Sequence, residues 1–314
     1  SRFQLVKLKK FYKLIFFACV IVFFIYSFLS IFTSIQAFKI NDLDSKLNPN
    51  FHNIQFEEIE FKNKNNTTLR GWWVDGETAN TIILLHGLRS NITNKFYIDL
   101  IKEFNNLGFS VLAFDFRNHG KSDNGKFTFG IDEIYDVEAA MNYANKNINI
   151  NNFAIWGFSY GATTSLILNL SNEKTNQNFN ITGIIADTPY YDPLEVLADE
   201  VSKRTPLNSF FSNLLKPGII LSTKIFYNLD LSEIKNNFDS KHTPKYPSLI
   251  IGCEQDKTVP VSHPKRINEA LGRSSKYLEF KDCSNHGDAF IYNKDEYVRE
   301  IHNFLKIQFE NEYK

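Results

Sequence analysis

A serine between two glycines, an aspartate and a histidine are the residues of this chain with the clearest capacity for chemistry. The serine is Ser159, in Gly157-Phe158-Ser159-Tyr160-Gly161, a Gly-x-Ser-x-Gly pattern. A serine hydroxyl is a weak nucleophile until a base takes its proton, and the base needs a third group to orient it. Downstream, two loops can supply these partners: Gly252-Cys253-Glu254-Gln255-Asp256-Lys257-Thr258-Val259-Pro260 and Asp282-Cys283-Ser284-Asn285-His286-Gly287-Asp288. The first directly follows an apolar strand-like run, and the second follows the last strand of the pattern. Asp256 is therefore the expected acid and His286 the expected base, with Glu254 a weaker substitute in the acid's loop. Taken singly, Asp256 reads as a solvated loop carboxylate. The order of the three residues and their place at strand ends make the catalytic reading.

The elements that must position them can be read outward from the serine. Phe153 to Phe158 has the character of a short buried strand, and Ala162 to Leu170 has the apolar spacing of a helix. A strand, a sharp turn holding Gly-x-Ser-x-Gly and a helix form a nucleophile elbow. There the serine's backbone is strained and its hydroxyl projects above the sheet edge, while side chains at Gly157 and Gly161 would collide. The negative oxygen of a tetrahedral intermediate also needs donors. The expected ones are the backbone N–H of Tyr160, directly after the nucleophile, and that of Leu88, after His86-Gly87. Gly87 is expected to let the backbone turn there. His86 should hold its loop by hydrogen bonds, and His119 should serve the packing of the Asp115 turn. His52, His242, His263 and His302 read as surface residues.

Around the elbow, strand and helix patterns alternate. Ile54 to Phe61 and Thr67 to Val74 alternate apolar and polar residues, which predicts an antiparallel pair of edge strands. Thr81 to Leu85 is a continuous apolar run suited to a central parallel strand. A helix over about Lys95 to Leu107, a strand from Ser110 to Phe116 and a helix over about Ile131 to Asn145 lead to the elbow. After it come strands at Ile181 to Ala186, Ser248 to Cys253 and Lys276 to Phe280, then helices over about Pro264 to Leu271 and Lys294 to Phe309. This rhythm predicts an α/β fold with a parallel sheet covered on both faces. The stretch from about 189 to 246 breaks it, with helical patterns near Leu194 to Lys203 and Leu207 to Tyr227, and predicts a small helical cap.

The set His86-Gly87, Asp115-x-Arg117-x-x-Gly120-x-Ser122, Gly157-Phe158-Ser159-Tyr160-Gly161, Gly252-x-x-x-Asp256-x-x-Val259-Pro260 and Asn285-His286-Gly287 resembles the serine α/β-hydrolase superfamily from about Asn53 onward. With an apolar N-terminal segment and a short cap, the chain is most similar to the membrane-anchored alpha/beta-hydrolase-domain-containing group. The resemblance implies the α/β-hydrolase fold, a carboxylic-ester, thioester or acylglycerol substrate, and no cofactor. It also implies two other readings of the same architecture. A serine peptidase of the prolyl-oligopeptidase type would share the triad but is expected to carry a further large gating domain. A non-catalytic binding module would not need the triad intact.

The first residues carry Lys7, Lys9, Lys10 and Lys13, followed by an almost unbroken apolar run from Leu14 to Phe32. That run has the length of a bilayer-crossing helix and holds no charge. Lys39, Asp42, Asp44 and Lys46 balance on its far side. The expected organisation is a basic cytoplasmic segment (1–13), a single transmembrane signal-anchor helix (14–34), a linker (35–52) and an extracytoplasmic hydrolase domain (53–314). A cleaved signal peptide competes with this, although only Ile35-Gln36-Ala37 resembles a cleavage site. A formal net charge of +0 gives no electrostatic case for nucleic acid as a partner. Three cysteines offer neither a metal set nor a disulfide framework. Cys253 and Cys283 end strands whose following loops must converge, so a bridge between them is one reading. The expectation is nevertheless two buried free thiols, because neighbouring parallel strands rarely offer bridging geometry.

Overall fold

In a computed structural model, which describes residues 2–40, 46–150, 152–171, 180–204, 209–240 and 242–310, the apolar runs become strands of one sheet. The strands are β1 (Glu57–Lys62), β2 (Thr68–Val74), β3 (Thr81–Leu85), β4 (Ser110–Phe114), β5 (Asn152–Phe158), β6 (Asn180–Asp187), β7 (Ser248–Cys253) and β8 (Ser275–Phe280). Their order is β1-β2-β4-β3-β5-β6-β7-β8. From β4 to β8 every neighbour is parallel, while β1 and β2 join antiparallel. β1 alone forms the edge on its side, with Ile59 and Phe61 buried and its charged residues, Glu57, Glu58, Glu60 and Lys62, exposed. β3, β4 and β7 are buried at every position, as strands covered on both faces must be.

The helices are α1 (Arg2–Phe38), α2 (Lys95–Asn106), α3 (Ile134–Tyr143), α4 (Tyr160–Leu170), α5 (Pro193–Arg204), α6 (Ser209–Leu214), α7 (Lys216–Tyr227), α8 (Ser232–Asp239), α9 (Ser262–Leu271), α10 (Asp288–Tyr292) and α11 (Lys294–Glu310). α2 illustrates why they form. Asn94 caps it through a 3.0 Å bond from the Phe96 N–H, and Tyr97, Ile98, Leu100, Ile101 and Phe104 make one buried stripe. Asp115, at the end of β4, ties two loops together. Its carboxylate accepts from the Ile92 N–H and the Lys121 N–H, each at 2.9 Å.

α8 and α10 have no counterpart in the sequence pattern. α8 buries only Ile234 and Phe238, and α10 is 5 residues long, so neither carries enough periodicity to be legible. Between β6 and β7 the described residues hold α5 to α8 and no strand. Asp42 and Asp44, which flank the apolar run, and Leu207, where the second helical pattern starts, lie outside the described residues.

Contacts divide the chain into two units. The larger, 40–193 and 233–314, contains the whole sheet. The smaller, 1–39 and 194–232, contains α1, α6 and α7. In it α1 is longer than the apolar run, because the stretch from Arg2 to Lys13, expected to precede the span, is part of the same helix. Its portion Lys7–Phe38 is the one helix among the described residues that is long and apolar enough to cross a membrane.

Candidate active site

β5 ends at Phe158 and α4 begins at Tyr160, so Ser159 makes the turn by itself, with φ 52° and ψ −108°. For a residue with a Cβ this conformation costs on the order of 1–3 kcal/mol, and surrounding bonds must hold it. The Ser159 N–H donates to the Asp187 carbonyl at 2.8 Å, and the Ser159 carbonyl accepts from the Thr163 N–H at 2.9 Å. The flanking glycines are required by close approach. A Cβ on Gly157 would lie 2.5 Å from the Gly161 carbonyl carbon, and one on Gly161 would lie 2.5 Å from the Leu85 oxygen.

The expected acid, Asp256, and the expected base, His286, follow adjacent strands. Cys253 of β7 pairs with Phe280 of β8, so the loops that follow leave the sheet side by side. Asp256 Oδ1 accepts from the Thr258 N–H at 2.7 Å and the Val259 N–H at 2.9 Å. Its Oδ2 lies 2.6 Å from His286 Nδ1. The Asp256 side chain has no exposure, whereas that of His286 retains 18%. A carboxylate on Nδ1 makes that nitrogen the donor and leaves Nε2 as an acceptor when the ring is neutral. The His286 ring lies 4.5 Å from that of Phe158, the residue before Ser159. Among the described residues the Ser159 hydroxyl makes no hydrogen bond. A serine–histidine bond of this kind often tightens only when substrate binds. Glu254, the substitute acid, is exposed.

Cys253 and Cys283 form a disulfide with Cα atoms 5.7 Å apart, which corrects the expectation of free thiols. The parallel ladder is no obstacle to it, because Cys283 lies outside that ladder. It sits three residues beyond Phe280, where the chain turns back over the end of β7, and the separation falls within the bridging range. The bridge joins the Asp256 loop to the His286 loop.

The loop holding Leu88 is built on two buried histidines. His86 Nε2 accepts from the Phe116 N–H at 3.0 Å, and its Nδ1 donates to the Gly87 carbonyl at 2.8 Å. Burial, reinforced by neighbouring His119, holds the His86 pKa well below the usual histidine range. His119 Nε2 accepts from the Arg89 N–H at 3.3 Å. The left-handed residue in this turn is Arg89, at φ 57°, and not Gly87. Gly87 matters for a different reason: a Cβ there would stand 3.0 Å from the Phe158 ring, which would have to give way. The Tyr160 amide belongs to the first turn of α4 and so has no acceptor within its own helix. Its side chain is fully buried against Phe116 and His119, so it shapes the core and not a pocket wall.

Several residues here escape the sequence reading. His263, expected at the surface, is 2% exposed, and its Nδ1 accepts from the Tyr191 N–H at 3.2 Å. His52 and His302 are half-buried as well. Asp187, at the end of β6, is fully buried, and its carboxylate accepts from the Tyr297 hydroxyl at 2.7 Å. That hydroxyl in turn accepts from the Trp156 indole at 3.0 Å. Burial raises the Asp187 pKa to about 7, against the opposing bond from Tyr297. The only sequence signal is its position, directly after the apolar run of β6. Among the described residues no group of three His, Cys, Asp or Glu side chains could hold a metal ion.

The alpha/beta hydrolase fold family model matches residues 80–176, from the start of β3 to beyond α4. Over 231 residues the chain is 28% identical to "Uncharacterized protein YqkD" of Bacillus subtilis, covering 73% of this chain and 72% of that one. Over 252 residues it is 25% identical to the Rattus norvegicus "Lysophosphatidylserine lipase ABHD12", covering 74% of this chain and 58% of that one. Among solved structures, the Pyrococcus furiosus esterase Pf2001 superposes with a TM-score of 0.68 at 24% identity, covering 86% of this chain and 98% of that one. With this strand order, this elbow and these likenesses, the chain has the α/β-hydrolase fold and is similar to members of that superfamily.

Proposed function

We propose that the chain is a membrane-anchored serine hydrolase that cleaves carboxylic ester, thioester or acylglycerol bonds through an acyl-enzyme on Ser159. One observation carries the reading: Asp256, fixed by two backbone amides, holds His286 beside the residue that precedes a strained serine. His286 Nε2 takes the Ser159 proton as Oγ bonds to the acyl carbonyl carbon. The negative oxygen is received by the N–H groups of Leu88 and Tyr160. Collapse of this intermediate breaks the bond to the leaving group, which leaves with the proton from His286. Water then attacks the acyl-enzyme and gives its proton to His286, which passes it to Ser159 Oγ as the Oγ–carbon bond breaks and the acid leaves. Asp256 keeps the imidazole in one tautomer and stabilises its charged form throughout.

An ester or lipid substrate is supported by the names of two similar proteins, a lysophosphatidylserine lipase and an esterase. The anchor is α1, with the span at about 14–34 and the lysines before it on the cytoplasmic side. The hydrolase domain, about 53–314 with its helical insert at about 189–246, then lies on the extracytoplasmic side. The Cys253–Cys283 bridge fits an oxidising compartment. A panel of matched ester, thioester and amide substrates tests the reaction class. Wild type should turn over the acyl esters and Ser159→Ala should not, whereas preferential amide cleavage would favour a peptidase.

A further inference from the structure

α1 and α7 run side by side in the same direction. The Gly218 N–H donates to the Tyr26 hydroxyl at 2.9 Å, the hydroxyls of Ser34 and Ser222 bond to each other, and the rings of Phe38 and Tyr227 stack with centroids 3.7 Å apart. The seam sets Ser30 and Ser34 against Gly218 and Ser222, small residues spaced four apart on each helix. Such spacing puts both members of a pair on one face.

The polarity of this pair is the reverse of what water selects. Ser30, Ser34 and Ser222 are at most 4% exposed, while Phe28, Phe32 and Ile35 of α1 and Leu221, Ile225 and Phe226 of α7 are 48–65% exposed. In water, apolar area left uncovered forgoes about 25 cal/mol per Å². In hydrocarbon the outward side chains meet acyl chains, and helices join through small and hydroxyl-bearing residues. The inward hydroxyls and the outward aromatic and aliphatic side chains are independent observations, and both point to lipid.

We propose that α7 is embedded beside α1 in the outer half of the bilayer, the half away from Lys7 to Lys13. This rests on α1 being the anchor, and the occupant of the α7 face is the same bilayer that α1 crosses. Hydrocarbon about 30 Å thick, at 1.5 Å per helical residue, spans roughly 20 residues from Leu14 onward. Gly218, level with Tyr26, falls inside that limit, and Tyr227, level with Phe38, falls beyond it. α7 therefore crosses the boundary between acyl chains and headgroups. Lys224 lies toward the outer end and pairs with Asp230 at 2.6 Å. Lys216, at the inner end, sets the depth, because its ammonium must reach back to water or headgroups along its methylene stem.

The test places a nitroxide on the full chain reconstituted in phosphatidylcholine vesicles, in a Cys19→Ser background. The labelled positions are Phe28→Cys on α1, Leu221→Cys and Ile225→Cys on α7, and Asn236→Cys on exposed α8 surface. Collision with oxygen, which partitions into lipid, is compared with collision with a water-soluble nickel chelate. The ratio at 221 and 225 should be several-fold above that at 236 and should resemble that at 28. Water-like ratios at 221 and 225 with a lipid-like ratio at 28 would refute the embedding of α7 and leave the anchor standing. A water-like ratio at 28 would remove the anchor and the embedding together. Protection of 221 and 225 from both reagents would mean that protein covers them, a second copy of the chain included, and would also overturn the proposal.

Discussion

Asp256 meets His286 through Oδ2, 2.6 Å from Nδ1, while its Oδ1 is held by the amides of Thr258 and Val259. All three bonds need an acceptor. Asparagine has only one acceptor oxygen, so Asp256→Asn must forfeit either the loop amides or the imidazole. Turnover should fall on the order of 10⁴-fold with the fold retained. Glu254→Gln, at an exposed position, should change it little. Steady-state kinetics on both variants decides the assignment: the opposite pattern would make Glu254 the acid.

The bridge between Cys253 and Cys283 predicts a thiol count. Denatured protein should offer one reactive thiol without reductant, that of Cys19, and three after reduction. Replacing both bridge residues by alanine should destabilise the domain by roughly 2–4 kcal/mol, as expected for freeing a closed loop. Because the bridge joins the Asp256 and His286 loops, to which the proposal assigns acid and base, activity should melt earlier than the sheet. Coincident loss of activity and secondary structure on heating the variant would contradict this.

Asp187 predicts a pH dependence. Burial raises its pKa from 3.8 to about 7, so the folded state binds a proton there that the unfolded state has already released. Stability must then fall as pH rises from about 4 to about 7, and the penalty is complete above that range. Asp187→Asn removes this charge, and its amide oxygen can still accept from Tyr297. The variant should be the more stable of the two at pH 8, by on the order of a few kcal/mol, since each tenfold change in proton affinity is worth about 1.4 kcal/mol. The gap should close toward pH 4. Denaturant titrations of both proteins across this range check it. Parallel stability curves would show that Asp187 is already ionised without cost.

What can be read from the sequence is whatever is local. The elbow is legible because its glycines answer contacts within a few residues of Ser159 or on the next strand. The strands are legible because full burial leaves continuous apolar runs such as Thr81 to Leu85. That Asp256 and His286 can meet follows from their positions after two neighbouring strands, the apolar β7 and the mixed β8. Features set by the tertiary fold are not legible. His263 is buried because the Tyr191 amide needs an acceptor there, and nothing near it in the chain signals that need. The Cys253–Cys283 bridge depends on a turn beyond β8, and the raised Asp187 pKa depends on burial beside Tyr297, 110 residues away. Strain at Arg89 in place of Gly87 shows the same limit, since two nearby residues can each take the turn.

The proposed chemistry depends on Ser159 as the nucleophile, which covalent capture can reveal. The full chain, reconstituted in phosphatidylcholine vesicles, is treated with a fluorophosphonate, digested and mapped by mass spectrometry. One adduct is expected, on the peptide carrying Gly157 to Gly161, with its mass on Ser159. The adduct should be lost in Ser159→Ala and strongly slowed in His286→Ala. Ester turnover in Ser159→Ala equal to wild type, or an adduct at another residue with Ser159 unmodified, would contradict it.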